Sequence, residues 1–370
     1  MGIWLWAALG LLVSACSTQP DSTAKPIAVG GPEPVGQVEL QLGGFAQPAL
    51  DIAVLVFDQG LGRQSSDARV YPTVRKAESL LLPVRLAQTL QDSAAWGVVR
   101  VVHNSDVYMA LSLETEILRA DGADLHLATT LRSAAGQVLL QREYRDVASE
   151  TDYPVTLGSD PFDDIYRAIA NDVRDAVAAL EAGQRRNLER LALMRFAASL
   201  SPSAFSRFVV QQGDRYELQS FPADNDPMLR RLDRLRRQDD LFVDAVDQRY
   251  RELYEEVRES YALWREFSFE LQRFGDEYRA SAAERKRTAR RGSYAAMQQV
   301  YASFRKVKIQ EEDLGDIVDG FAGESLETVL EVDDGVVRLS GSVEERYAEW
   351  RRILGRIVTL ETGELDPSAP

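Results

Sequence analysis

The stretch that decides the fold is Asp51-Ile-Ala-Val-Leu-Val-Phe-Asp58. Its apolar run is continuous, rich in β-branched residues and bounded by polar ones, which is typical of a strand buried on both faces. Residues 73–94 follow with helical spacing, and residues 98–102 form a second β-branched run. This order predicts a βαβ unit with two parallel strands. Pro83, inside the helical segment, predicts a kink or a break at Leu82.

Strands with alternating apolar and polar positions follow this unit. Apolar side chains recur at every second residue over 107–117 and again over 125–131, with a turn at Asp121-Gly122 between them. A further strand is expected near 138–144. A helix with Asp160 as its N-cap then closes the unit. The result is a small mixed sheet with helices packed against it.

These runs carry a family resemblance. The chain resembles uncharacterised proteobacterial lipoproteins in IAVLVFD, YPTVRKAESLLLPVRLAQTL, WGVVRVV, LRADGADLHLATTLRSAAGQVLLQREYRDV and DPFDDIYRAIANDV. More distantly, it is similar to the periplasmic α/β modules of curli-secretion-like and penicillin-binding-protein-activator lipoproteins and of the Tol translocation protein. The resemblance covers roughly residues 51–173, under half of the chain. It implies an α/β fold and a location in the cell envelope, and it implies no catalytic residue.

The first sixteen residues, MGIWLWAALGLLVSAC, read as a lipoprotein signal peptide. The apolar run is too short to span a bilayer and fits the hydrophobic region of a signal peptide. Its end, Val13-Ser14-Ala15-Cys16, resembles a lipobox, which implies cleavage before Cys16 and acylation with chains such as palmitate. The n-region lacks Lys and Arg. The alternative is an uncleaved hydrophobic N-terminus with a chance cysteine.

The residues after Cys16 predict a tether and a location. Ser17 follows the cysteine where Asp would suggest retention at the inner membrane, so we expect an outer-membrane anchor facing the periplasm. Residues 17–37 are rich in Pro, Gly, Ser and Thr, which is typical of a flexible linker. The predicted partners are therefore the membrane, through the lipid, and an unidentified envelope protein.

Composition excludes several classes of function. The 370 residues hold 58 acidic and 43 basic side chains, for a net charge of −15, so the chain as a whole is not suited to bind nucleic acid. One cysteine and two histidines exclude an internal disulfide framework and zinc or iron–sulfur motifs. We therefore expect no metal site and no cofactor.

Catalytic motifs are missing from the sequence, which contains no Gly-x-Ser-x-Gly, His-Glu-x-x-His or phosphate-binding loop. Matching the apolar faces of two strands places Glu116 opposite His126 on the outer face. Such a juxtaposition is more often a cross-strand surface pair than a catalytic acid–base pair. Asp121 and Asp124 could touch calcium, but a hairpin turn explains them better. We therefore predict no catalytic residue.

The second half of the chain predicts long helices. Apolar residues recur every three or four positions over 239–278, and Trp264 lies on this face. A second apolar stripe begins after the polar stretch around residue 290. Two such helices are expected to form a coiled-coil-like antiparallel hairpin that buries both stripes and places Trp264 in the seam. The second stripe comprises Tyr294, Met297, Tyr301, Phe304, Leu314, Ile317 and Phe321.

A basic cluster near the expected tip of this hairpin is the one candidate for an interaction site. It could meet anionic headgroups or peptidoglycan carboxylates. The alternative is a solvated helix surface paired with nearby acidic residues. The cluster consists of Arg285, Lys286, Arg287, Arg290 and Arg291.

The end of the chain predicts a β-hairpin and a last helix. Ser342 and Glu345 form a capping box for that helix, and VDDGVVRLSGSVEER is similar to a piece of a BON domain. The fold class is α+β. The expected organisation is a signal peptide over 1–15, a tether over 16–37, an α/β domain over 38–183, a helical domain over 184–322 and the hairpin with its helix over 323–370.

These features predict a non-catalytic cell-envelope lipoprotein that acts as a periplasmic interaction module or scaffold, in cell-wall synthesis or secretion. The alternative is a periplasmic hydrolase or peptidoglycan-modifying enzyme that uses carboxylates, since 58 acidic residues offer many pairs. An acidic pair that lines a concave pocket would favour the alternative.

Overall fold

The apolar run at Ile52 becomes an interior strand of a five-stranded sheet. In a computed structural model, β1 (Ile52–Leu55) pairs in parallel with β2 (Val99–Val102) on one side and β3 (Leu111–Ala120) on the other. Antiparallel strands β4 (Asp124–Ser133) and β5 (Val138–Val147) extend the sheet, giving the order β2-β1-β3-β4-β5. The structure describes residues 32–45, 49–62, 70–104, 107–156, 158–223, 225–288, 294–323, 328–332 and 335–362.

Helix α1 (Pro72–Asp92) makes the βαβ crossover and runs through Pro83 without a break, so the second form of the predicted kink or break at Leu82 is wrong. A proline in a helix leaves the carbonyl four residues earlier without its usual donor. Here that carbonyl belongs to Ser79, and the backbone N–H of Phe57 donates to it at 3.0 Å. A neighbouring segment thus satisfies the group that proline orphans, and the helix continues.

The remaining elements surround the sheet. α2 (Asp163–Ala178) packs on β5, on the same face as α1, and α3 (Ala182–Leu200) leads through the short α4 (Pro202–Phe205) to a hairpin. That hairpin is formed by β6 (Val209–Gln212) and β7 (Arg215–Leu218). Next come α5 (Pro227–Thr288), α6 (Tyr294–Gly323), β8 (Thr328–Val332), β9 (Gly335–Leu339) and α7 (Val343–Thr362). A mixed sheet with long helices confirms the α+β class.

Helix α5 lies along the outer edge of strand β2. The backbone N–H of Val101 donates to the Asp247 carboxylate at 2.7 Å, so a side chain of the helix takes the place of a neighbouring strand. Arg100, on the same strand, is buried and bonds Asp244 at 2.6 Å. At 62 residues, α5 is about 93 Å long.

Helices α5 and α6 form the predicted antiparallel hairpin, since Tyr250 meets Phe321 while Phe267 meets Lys306. The prediction for the second stripe is wrong in part. Its first four members, Tyr294, Met297, Tyr301 and Phe304, are exposed. Leu314, a later member of the stripe, is buried as predicted, and Ser303, Val307, Gly315 and Val318, which are not members, are also buried. The reason is that α6 packs against α1 as well as α5, which turns a different side of the helix inward.

Candidate functional site

The outer face of the sheet, opposite α1 and α2, carries the polar side chains that alternate with the core residues. On this face Glu116 stands opposite Ala128, and Ala128 opposite Glu143, across β3, β4 and β5. Together with Asp58, these positions line an open depression of about 690 Å³. A second depression of about 650 Å³ meets the first at Glu114, and the two together form one groove.

A tight turn brings Asp58 beside Glu116. The Asp58 carboxylate accepts the backbone N–H of Gly60 at 2.8 Å, and the backbones of Asp58 and Glu116 form an isolated parallel bridge. Gly60 has a φ of +63°, and a Cβ there would stand 2.2 Å from the Ile117 carbonyl oxygen. Only glycine fits this turn. Asp58 and Glu116 are therefore an acidic pair on a concave surface, which is the arrangement the hydrolase alternative requires.

Two other carboxylates of the groove have side-chain partners. Glu114 pairs with Arg132 at 3.1 Å, and His126 Nε2 lies 3.0 Å from the carboxylate of Glu143. The predicted pairing of Glu116 with His126 is wrong, because the register of β3 with β4 sets Glu116 opposite Ala128, two residues further along β4. A bulge between Ile117 and Arg119 then sets Arg119 opposite His126.

Helix α3 and the β6–β7 hairpin wall one side of the groove. Arg195 on α3 donates to the Ala134 carbonyl at 2.7 Å, with its guanidinium carbon 3.7 Å from the centre of the Tyr216 ring. Gly136, at a φ of +72°, lets the β4–β5 turn approach Asp214, whose carbonyl oxygen would stand 1.8 Å from an added Cβ. The lining carries five carboxylates and three guanidinium groups, so the groove is acidic. They are Asp58, Glu114, Glu116, Glu143, Asp214, Arg132, Arg142 and Arg195.

A second group of polar residues is buried between α1 and α5. Glu78 accepts hydrogen bonds from Arg75 at 3.1 Å and from the Tyr261 hydroxyl at 2.8 Å. Arg75 also donates to the carbonyls of Gln59 and Ile117, each at 3.0 Å. Burial raises the pKa of the Glu78 carboxyl to about 6, while the charge of Arg75 acts in the opposite direction. This network joins the long helix to the βαβ unit.

Arg265 extends the junction. Its guanidinium donates to Asp160 at 2.7 Å and lies over the rings of Tyr261 and Phe162. Asp160 also accepts the backbone N–H of Phe162, the residue that precedes α2. A cleft of about 270 Å³ beside this pair is lined by residues of α1, α5 and the loop before α2. The Nε and Nη2 atoms of Arg265 are buried, and its bond to Asp160 joins α5 to the loop before α2.

We expect a pH dependence from Glu78. A carboxyl whose pKa is higher in the folded chain than in the unfolded chain binds its proton more tightly when folded. The free energy of unfolding should therefore fall as pH rises from about 4.5 to about 6, by about 2 kcal/mol from this group. Asp146, whose pKa burial also raises to about 6, adds to the fall. Glu78→Gln should reduce the slope, measured by urea unfolding across that range.

The exposed Glu256 on α5 supplies the control for this prediction. Glu256→Gln should leave the slope as in the wild type. An unchanged slope in Glu78→Gln would mean that Glu78 does not titrate in this range.

Several predicted positions have a clear outcome. Asp121 accepts the backbone N–H groups of Ala123 and Asp124, as expected for a hairpin turn. His103 lies 2.6 Å from Glu344.

Among the residues that the structure describes, no group of three or more His, Cys, Asp or Glu side chains could hold a metal ion. None of the described helices is long and apolar enough to span a membrane.

The other predicted positions lie outside the described part of the chain. This applies to Cys16, to Arg290 and Arg291, and to the side chains of Arg285, Lys286 and Arg287. The backbone at residues 285–287 belongs to α5. Lipidation and the role of the basic cluster stay predictions.

We find no family model, no curated protein and no solved structure that matches this chain. The resemblance to envelope lipoproteins and their periplasmic modules therefore also stays a prediction.

Proposed function

We propose that this chain is a non-catalytic cell-envelope lipoprotein, anchored through Cys16, that acts as a scaffold. Its open sheet face would bind an envelope protein. The observation that supports the binding role is the acidic groove, which runs over β3, β4 and β5 and is walled by α3 and the β6–β7 hairpin. Its charge suits a partner segment that presents Lys or Arg side chains.

The shape of the groove favours binding over catalysis. Catalytic pockets are usually enclosed, since chemistry benefits from the exclusion of water. This groove is open along its length, and two of its carboxylates, Glu114 and Glu143, are already engaged by Arg132 and His126. A broad polar surface with such pairs resembles a protein interface more than a reaction centre.

The binding role can be tested with a substitution that fills the groove. Ala128 lies on the groove floor between Glu116 and Glu143, so Ala128→Arg adds bulk and positive charge there. We expect this variant to lose the envelope proteins that the wild type captures by chemical crosslinking in cells. Ala178→Arg, at the exposed end of α2, is the matched control and should capture them as the wild type does. Equal capture by Ala128→Arg would exclude the groove as the binding surface.

The pair Asp58 and Glu116 supports the second candidate, a carboxylate-dependent hydrolase. The amide variant Glu116→Gln separates the two functions, because it keeps the size of the side chain and removes its acid–base chemistry. General acid–base catalysis contributes about 10²–10⁴-fold. A folded Glu116→Gln chain that still restores the phenotype of a deletion strain supports the scaffold. A chain that captures the envelope proteins as the wild type does but fails to restore the phenotype supports the enzyme.

A further inference from the structure

Strand β5 forms one edge of the five-stranded sheet, beside the acidic groove. The backbone carbonyl of Arg145 points away from β4, since it accepts the N–H of Val35 at 2.9 Å. Backbone groups of alternate residues in a strand point to opposite sides, so those of Gln141 and Glu143 also point outward. The bond between Glu143 and His126 places the side chains of these alternate residues on the groove face.

The chain itself caps part of this edge. Val35 caps the carbonyl of Arg145, and the carboxylate of Asp146 accepts the backbone N–H of Val147 at 2.8 Å. Within the described residues, no hydrogen bond reaches the backbone N–H or C=O of Gln141 or Glu143. Both residues are exposed. They form an open stretch of the edge that presents two donors and two acceptors.

The spacing of these four groups indicates the kind of ligand that can bond them. Residues two apart in a strand are separated by about 6.8 Å, and each of the two presents one donor and one acceptor. A second extended backbone repeats this pattern at the same spacing, so it can bond all four groups at once. Extended peptides join the edge of a sheet in this way in several recognition domains.

The charge of the groove favours one class of extended segment. Asp58, Glu116 and Glu143 line the groove that adjoins β5. Arg142, at the same edge, is held by Asp172 of α2 at 2.7 Å. A second copy of this chain would bring the same acidic groove and a net charge of −15, so repulsion disfavours an edge-to-edge dimer. A segment with Lys or Arg side chains is attracted by the same charge.

We propose that an extended segment of the partner adds to β5 as a sixth strand. Its backbone bonds Gln141 and Glu143, and one of its Lys or Arg side chains lies over the carboxylate of Glu143. Backbone bonds supply affinity in such a complex, and the alternate side chains supply specificity. This proposal rests on the proposed function, because it specifies how the partner segment binds at the groove.

The probe for this proposal is a synthetic peptide, acetyl-Thr-Lys-Val-Lys-Val-Lys-Thr-amide, whose Lys side chains share one face of a strand. Hydrogen–deuterium exchange of the full chain, resolved to single amides, measures the backbone bonds. With peptide at about nine times its Kd, the amides of Gln141 and Glu143 should exchange about tenfold more slowly, since exchange proceeds from the unbound tenth of the chains. The amide of Arg142, which points toward β4, should not change.

Two substitutions at one position separate the backbone from the side chain. Gln141→Pro removes the outward N–H, which the ladder to β4 does not use. We expect it to weaken binding of the labelled peptide, measured by fluorescence anisotropy, by about tenfold or more. Gln141→Ala keeps the N–H and should bind within about twofold of the wild type.

A second variant covers the case in which Gln141→Pro does not fold, as checked by circular dichroism. Glu143→Gln keeps the backbone and removes the charge. It should weaken binding of the peptide by about threefold, because an opposite-charge pair across two strands is lost.

Three results would overturn the proposal. They are unchanged exchange at Gln141 and Glu143 with the Lys peptide, equal slowing by a peptide with Glu in place of Lys, and equal binding by folded Gln141→Pro and Gln141→Ala. Slow exchange without peptide that disappears on dilution would assign the edge to a second copy instead. Ala128→Arg tests the groove separately. If that variant loses its captured proteins while the Lys peptide leaves the two amides unchanged, the groove binds its partner without strand addition.

Discussion

Replacement of Trp264 by alanine should lower the free energy of unfolding by about 3–5 kcal/mol. Trp264 is 1% exposed, as its position on the apolar stripe of α5 predicts. Its ring packs edge-on against Tyr71 at 5.8 Å and stacks on Tyr261 at 6.1 Å. The change therefore leaves a cavity where the long helix meets the start of α1. A typical domain is stable by about 5–15 kcal/mol, so the melting temperature should fall clearly.

The neighbouring residue provides the control for this prediction. Leu263 is 43% exposed on the same helix, and Leu263→Ala should change the free energy of unfolding by about 0.5 kcal/mol or less. Thermal and urea unfolding of both variants would measure the difference. Equal and small effects would show that Trp264 is not part of the core.

We expect Asp160→Ala to destabilise the chain by about 3–5 kcal/mol, because it leaves the buried Arg265 without its carboxylate. Side-chain exposure is only 2% for Arg265 and 12% for Asp160. The variant also loses the acceptor for the backbone N–H of Phe162 ahead of α2. Urea unfolding at neutral pH would measure the change.

An exposed ion pair on the same helix separates burial from charge. Arg279 pairs with Asp276, and both side chains are more than 70% exposed. Asp276→Ala should cost about 0–1 kcal/mol, since solvent screens such pairs. Arg265→Met added to Asp160→Ala should recover part of the loss by removing the buried charge. Equal costs for the two aspartates would contradict the role assigned to the buried pair.

The local pattern of the sequence is enough to predict much of the fold. Continuous and alternating apolar runs predict the βαβ unit and the antiparallel strands, because each strand buries one or both faces. The capping box at Ser342 and Glu345 forms. The Glu345 carboxylate accepts the backbone N–H of Ser342, and the Ser342 hydroxyl accepts the backbone N–H of Glu345. These features depend on residues close together in the chain.

Features that depend on distant partners could not be predicted. The unbroken α1 needs Phe57 to satisfy the Ser79 carbonyl, and the sequence around Pro83 contains no sign of this. The inward side of α6 is chosen by α1, more than two hundred residues earlier, so the strongest apolar stripe faces outward. The site follows the same rule, because the pairing of β4 with β5 places His126 within reach of Glu143, two residues from its direct partner Arg145.

The Asp247 contact with strand β2 decides how the chain can be divided into fragments. An uncovered edge strand presents a row of backbone donors and acceptors that readily joins another chain. Since α5 supplies the cover, a fragment of residues 38–183 alone would expose β2 and would also free Arg100 of Asp244. Such a fragment would be prone to aggregate edge to edge. A fragment that keeps the sheet must therefore also keep the part of α5 that carries Asp244 and Asp247.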